Sequence, residues 1–309
     1  MKQSLLILAS ILLGTFWTAG ADLTFLLRYV LMVMIFFACL DIQFSRSHLR
    51  WWHLNVLVLN LVLPLAWFDL LHTIEPRFAT AVFIIALAPT AAAAPVIAQL
   101  LRTRVDLVVV SIFVTMPVVA LLAPFLLALI GAETGGVDAW TVLRRSLEIV
   151  VIPLVPVFGL RRFFPAAVRA LASWKWISPY LFCFNVWIAS GNASRFLQTQ
   201  TALTGLDLFW LFLWIGAVAV VNFGLGWLLD RTERHPGSLA LGRKNTMFVL
   251  WLALTYLDPL AALGPMFYIL WQNLINSIQI AQKKPRPDPE LNRDRGAVGR
   301  GKESPMGDR

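Results

Sequence analysis

Charge is what this chain has least of: 14% of its 309 residues are Asp, Glu, Lys or Arg, while 59% are hydrophobic. A water-soluble protein of this length could not enclose so much apolar surface, so the composition points to a polytopic membrane protein. Cysteine is nearly missing as well. Cys39 and Cys183 both lie inside apolar segments, show no metal-ligand or redox spacing, and read as small buried hydrophobes. No H-E-x-x-H and no G-x-S-x-G occurs, and His48, His53, His72 and His235 all fall near segment ends, which argues against a membrane enzyme. The net charge of +9 does not indicate nucleic acid, because the basic residues gather in short loops and a tail on one side of the hydrophobic segments. No motif calls for a cofactor or a bound metal.

Long hydrophobic runs are what the chain has in quantity. Ten are expected to span, at about 4–19, 22–42, 51–70, 77–101, 106–130, 140–161, 172–190, 205–229, 236–257 and 259–281. Most approach the ~20 residues that cross ~30 Å of hydrocarbon. The first run also resembles a signal peptide, with Met1-Lys2-Gln3 ahead of it and Ala19-Gly20-Ala21 after it. Retention is expected, because its removal would destroy the symmetry of the two halves. The loops at 43–50 (Arg46, His48, Arg50), 102–105 (Arg102, Arg104), 162–175 (Arg162, Arg169, Lys175) and 230–235 (Arg231, Arg234) fall on one side of a ten-span chain. The excess of base assigns that side, with both termini, to the cytoplasm of a bacterial-type inner (plasma) membrane. Arg144 and Arg145, at the opposite end of the sixth run, count against the rule. Residues 1–282 form the membrane domain, with repeats at about 4–130 and 140–282. The tail 283–309, rich in Pro, Gly and charge, is expected to be disordered beside anionic lipid headgroups. Five spans per half invert one half relative to the other.

The fourth run of each half is interrupted. Ala88 to Pro95 places Pro89 and Pro95 in the middle of 77–101, and Gly242-Arg243-Lys244-Asn245 lies inside 236–257. Lipid offers no hydrogen bonds to a freed N–H or C=O, so a broken helix persists only where protein, water, ion or substrate takes over those groups. Paired broken helices in matching positions of two halves point to the binding site of a secondary transporter. The expected architecture is therefore all-α, ten transmembrane helices in two inverted five-helix repeats, with helices 4 and 9 broken and crossing.

At the first break, Pro89, Thr90, four alanines and Pro95 leave little side-chain bulk, so another backbone can approach. A plain proline kink is the alternative. Lys244 lies nine residues from His235 and thirteen from Leu257, far from either interface, and a mid-span lysine is costly enough to suggest function. Snorkelling towards the nearer end is the competing reading for Lys244 and for Arg243. Adjacent helical residues point about 100° apart, so one cation can face the site while the other does not. Asn245 offers a donor and an acceptor at the same break. Ser111 and Thr115, spaced i to i+4, share a face of the fifth span, and bonding back to their own helix is the plainer reading.

Pro89 with the small residues after it, Val105-Asp106 leading into Ser111 and Thr115, and Ala123-Pro124 resemble helices 4 and 5 of the bile acid:sodium symporter superfamily. Gly242-Arg243-Lys244-Asn245 followed by Trp251-Leu252-Ala253 resembles its helix 9. The resemblance covers roughly residues 4 to 282, and auxin-efflux-type carriers share the architecture. The resemblance implies sodium ligands from side-chain oxygens at both breaks, plus hydroxyls matching Ser111 and Thr115. This chain departs there. Where the family typically reads Pro-Gly-Gly and Ser-Asn, it has Pro89-Thr90-Ala91 and Ala94-Pro95; where the family has a Glu and a Gln-Asn pair, it has Ala240, Lys244 and Asn245. The cysteine and Glu of arsenite-efflux relatives are missing too.

The expected function is a secondary active transporter for a small organic anion, sodium-independent, coupled to protons or exchanging. A sodium-coupled organic anion symporter and a transport-inactive sensor or scaffold of the same fold are the alternatives. Lys244, Asn245, Arg243, Thr90, Pro89, Pro95, Ser111 and Thr115 are the expected substrate-binding residues. The expected partners are the small-molecule organic anion and the lipid bilayer. The sequence does not specify the oligomeric state.

Overall fold

The computed structural model describes residues 2–40, 49–131, 138–199, 203–229 and 234–282. Arg46, His48, the stretch 132–137, Arg231 and the tail 283–309 lie outside them. The described chain is helical: α1 Lys2–Phe16, a 3-10 helix Thr18–Leu26, α2 Leu27–Cys39, α3 Trp51–Ile74, α4 Pro76–Leu87, α5 Ala94–Leu100, α6 Val105–Leu129 and α7 Ala139–Phe163. Then come α8 Pro165–Ala172, a 3-10 helix Ser173–Ile177, α9 Ser178–Thr199, α10 Gly205–Leu228, α11 Arg234–Gly242, α12 Thr246–Tyr256 and α13 Pro259–Ala281.

Among the described residues, four helical stretches are long and apolar enough to cross a membrane: Thr18–Cys39, Trp51–Ile74, Val105–Leu129 and Gly205–Leu228. Three others of 22 to 25 residues carry more polar residues. They are α7 with Arg144, Arg145 and Glu148, α9 with Ser190 to Arg195, and α13 with Gln272, Asn273, Asn276 and Gln279. The protein is an all-helical membrane protein.

One expected span is displaced. The run read at 172–190 is instead the helix α9, Ser178–Thr199, preceded by the short α8 and a 3-10 turn. The small and polar residues 190–194 look like a loop in sequence. In the structure they are a packing surface against the N-terminal helix, of the small-residue kind that lets membrane helices approach. Ser194 Oγ donates to Thr15 O at 3.0 Å, and Asn192 Nδ2 to Thr24 Oγ1 at 2.8 Å. Arg195 forms a two-pronged ion pair with Asp22, at 2.6 and 2.8 Å.

The half-helices α4 and α12 form the centre of the core. Ala81 to Ala88 and Met247 to Ala253 are buried without interruption. A helix apolar all round belongs in a protein core or in lipid, and here the protein encloses it. At ~1.5 Å per residue, the 12 residues of α4 reach only ~18 Å, short of a full span. Backbones come close where glycine permits: a Cβ on Gly264 of α13 would lie 2.2 Å from Ala81 O, and one on Gly226 of α10 would lie 2.4 Å from Gly237 O of α11. These contacts press α13 and α11 onto the broken helices and their neighbours.

Candidate binding site at the paired helix breaks

Helix α4 stops at Leu87 because Pro89 cannot continue it, and α5 starts only at Ala94. The break therefore runs from Ala88 to Ala93, shorter than the expected Ala88–Pro95. Pro95 sits in the first turn of α5, where a missing N–H costs nothing because that group has no intrahelical partner. The second break is shorter as well. Gly242 is the last residue of α11, and Asn245 is the N-cap of α12, its Oδ1 accepting from Phe248 N at 3.2 Å.

The two breaks meet. Asn245 N donates to Pro89 O at 2.7 Å and Ala91 N to Arg243 O at 2.8 Å, framing an isolated antiparallel bridge between Thr90 and Lys244. Each break thus supplies hydrogen bonds the other lost. The rest come from neighbouring side chains. Thr90 N donates to Thr115 Oγ1 (3.0 Å) and Thr90 Oγ1 to Ala240 O (2.6 Å). Tyr268 Oη of α13 donates to Gly242 O (2.6 Å), and Asn60 Nδ2 of α3 to Leu87 O (3.1 Å). These bonds take over a substantial part of what interruption releases.

The two adjacent cations part company here. Lys244 is 1% exposed, which excludes snorkelling. Its Nζ donates to Asn60 Oδ1 and, at 2.9 Å, to Ala86 O. Ala86 is in the last turn of α4, so the ammonium sits at the negative end of that half-helix's dipole. Arg243 points elsewhere, within electrostatic reach of the Tyr268 hydroxyl. It keeps partial exposure, yet its Nε and Nη1 are buried with no hydrogen-bond partner among the described residues. No described carboxylate bonds either cation. Asp22, Glu75, Asp106, Glu148 and Asp207 pair with arginines elsewhere, and Asp138 and Asp258 cap helices.

Of the residues read from sequence, Pro89, Thr90, Thr115, Arg243, Lys244 and Asn245 come together at the crossing. Ser111 is buried one turn away, and its Oγ donates back to Leu107 O at 3.1 Å. Thr115 does both things, donating to Ser111 O at 2.8 Å while accepting from Thr90 N. Asn60 and Tyr268 escaped the sequence reading, although the asparagines Asn55 and Asn60 amid the apolar residues of α3 were a visible signal. His53 escaped it too: its Nε2 meets Leu107 O at 3.0 Å and ties α3 to α6.

Among the described residues no cluster of three His, Cys, Asp or Glu could hold a metal ion. No curated protein matches the chain. The sequence model of the sodium bile acid symporter family matches residues 26–199, which hold the first break with Asn60, Ser111 and Thr115 and stop short of the second. That stretch is more than half of the chain, and the protein belongs to the sodium bile acid symporter family, a family of membrane transporters.

Proposed function

We propose that the protein is a secondary active transporter that carries a small organic anion without sodium, by proton coupling or exchange. The crossing of α4–α5 with α11–α12 is its binding site. The observation that carries this reading is the tethered ammonium of Lys244, bonded to Asn60 Oδ1 and Ala86 O. A fixed cation there does what a coupling ion would do: it neutralises the carbonyl end of a broken helix.

The residues present do not fit a sodium site. Sodium needs several oxygen ligands, as other hard cations do. Thr90 Oγ1 is engaged with Ala240 O, Ser111 Oγ with Leu107 O, and Asn245 Oδ1 with Phe248 N. Ala240 and Ala94 bring no side-chain oxygen at all. Two cations at one crossing without a carboxylate favour a negatively charged occupant. If Lys244 takes a proton when the anion binds and gives it up on release, transport is proton-coupled; if it stays charged, the protein exchanges anions.

In this reading ten spans form two inverted halves, at about 4–130 and 140–282, in a bacterial-type inner membrane. Both termini are cytoplasmic. Reporter fusions along the chain test this, and a tail after Lys283 found outside the cytoplasm would overturn it. Uptake into proteoliposomes in choline buffer should equal uptake in sodium buffer. A strict, saturable sodium requirement would instead establish a sodium-coupled symporter. Lys244→Gln should weaken anion binding markedly, and Lys175→Gln, in the short 3-10 turn, should not; equal affinities would reject the site.

A further inference from the structure

The link between α7 and α9 is too short to cross a membrane. The 8 residues of α8 reach ~12 Å and the 5 of the 3-10 helix after it ~10 Å. Helix α7, with 25 residues, reaches ~37 Å, more than the ~30 Å of hydrocarbon, so its last turn with Arg161 and Arg162 extends to headgroup level. Pro165 then ends α7 and opens α8. Neither α8 nor the 3-10 helix has a buried residue. Val168 and Leu171, one turn apart, rest half-buried against the core, while Arg169 is exposed. Aromatic residues flank α8 on both sides: Phe163 and Phe164 before it, Trp174 and Trp176 after it, exposed to 72%, 62%, 57% and 63%.

The same stretch is basic without compensation in sequence. Arg161, Arg162, Arg169 and Lys175 fall within it, and no Asp or Glu occurs between Glu148 and Asp207. Arg161 is engaged, its Nε donating to Leu40 O at the C-terminal end of α2, at 2.9 Å. Arg162 and Arg169 are exposed. Four exposed rings suit water poorly, and two guanidiniums suit hydrocarbon worse. The headgroup region suits both, since it is apolar on one side and carries phosphate on the other. A guanidinium takes a phosphate through paired N–H donors. Charge also decides against a second copy of this chain, which would set arginine against arginine.

We propose that the stretch 162–176 is an interfacial strap that binds anionic phospholipids, with Arg162 and Arg169 on the headgroup phosphate and the four aromatic rings among the upper acyl chains. In the ten-span reading the strap lies in the cytoplasmic leaflet. It goes beyond the transport reading and does not rest on it. Interfacial aromatic and basic anchors set the tilt and depth of the helices they join. The strap joins α7 and α9, both of which pack on α2.

The test places an environment-sensitive fluorophore on Ser173→Cys, in the full-length protein in nanodiscs of phosphatidylcholine, with the labelled parent, carrying Cys39 and Cys183, as blank. Guest lipids with a nitroxide on the acyl chain report occupancy of the strap by quenching. Phosphatidylglycerol should bind there roughly tenfold better than phosphatidylcholine, because each basic residue near an anionic headgroup is worth about fivefold. The preference should shrink several-fold between 0.1 M and 1 M salt. Arg162→Gln/Arg169→Gln should reduce it to about twofold or less, and Arg162→Lys/Arg169→Lys should keep most of it. Millimolar inorganic phosphate should not compete. Equal quenching by the two lipids, or a preference unchanged in the glutamine variant, would overturn the proposal. So would quenching no greater than the blank, the outcome if another protein covers the strap, and so would loss of the preference to inorganic phosphate. If Ser173→Cys does not fold, Ala170→Cys, exposed beside Arg169, gives the same readout.

Discussion

The two helix breaks solve the same problem by opposite means. The first, Ala88 to Ala93, has only small side chains and no charge, and contributes backbone. Pro89 O and Ala91 N reach across, and the space left by the alanines admits the other chain. The second, Arg243 to Asn245, is three residues long and contributes side chains, with Lys244 reaching back to cap the carbonyl end of the first half-helix. Neither break is stable alone in lipid, because each lacks what the other brings. The difference teaches that a broken membrane helix can be stabilised from outside by a tethered cation, and that adjacent residues of one break can reach different surroundings.

That contrast can be broken most forcefully at Asn60. Asn60→Leu would leave the Lys244 ammonium buried with only Ala86 O, and removing one partner of a buried charge costs about 3 kcal/mol or more. The thermal unfolding midpoint in detergent, followed by tryptophan fluorescence, should fall sharply. The double variant Asn60→Leu/Lys244→Met should recover much of the loss, the coupling expected of residues in contact. An Asn60→Leu protein as stable as the parent would show that the cation is not tethered.

The first break is sharpened at Thr115. Thr115→Val leaves Thr90 N unpaired in the core, a loss of roughly 2 kcal/mol. Ser111→Ala removes only a bond within its own helix and should cost about 1 kcal/mol or less. Equal losses would mean that Thr115 does not support the crossing. On the second break, Tyr268→Phe deletes the donor to Gly242 O and should lower stability by about 1 kcal/mol in the same assay. Pro95→Ala should change stability by less than about 0.5 kcal/mol, because Pro95 only opens α5 and is outside the break.

The smallest effect is expected away from both breaks. At the start of α7, the Thr141 hydroxyl, then its backbone N–H, hold the Asp138 carboxyl below the ordinary carboxylate range. A lowered folded-state value means that Asp138 adds stability above the unfolded pKa and loses it as pH falls through the folded one. Asp138→Asn should therefore flatten the acid side of the stability profile slightly and leave neutral pH behaviour of the crossing unaltered.

The sequence by itself determined the class of the molecule, since so little charge over so many apolar residues admits no soluble fold. It also placed both breaks to within a few residues, because proline and consecutive cations are incompatible with an uninterrupted apolar helix. It misplaced α9, since the small residues 190–194 look the same in a loop and in a close helix contact. Only the tertiary structure decided which of the two adjacent cations is tethered. Lys244 and its partner Asn60 stand 184 residues apart, and no local pattern records that contact. The physical reason is that Arg243 and Lys244 lie in the break, where Lys244 pairs with Thr90 as in a strand. Successive side chains of extended backbone leave to opposite sides, and the neighbours on each side are supplied by packing.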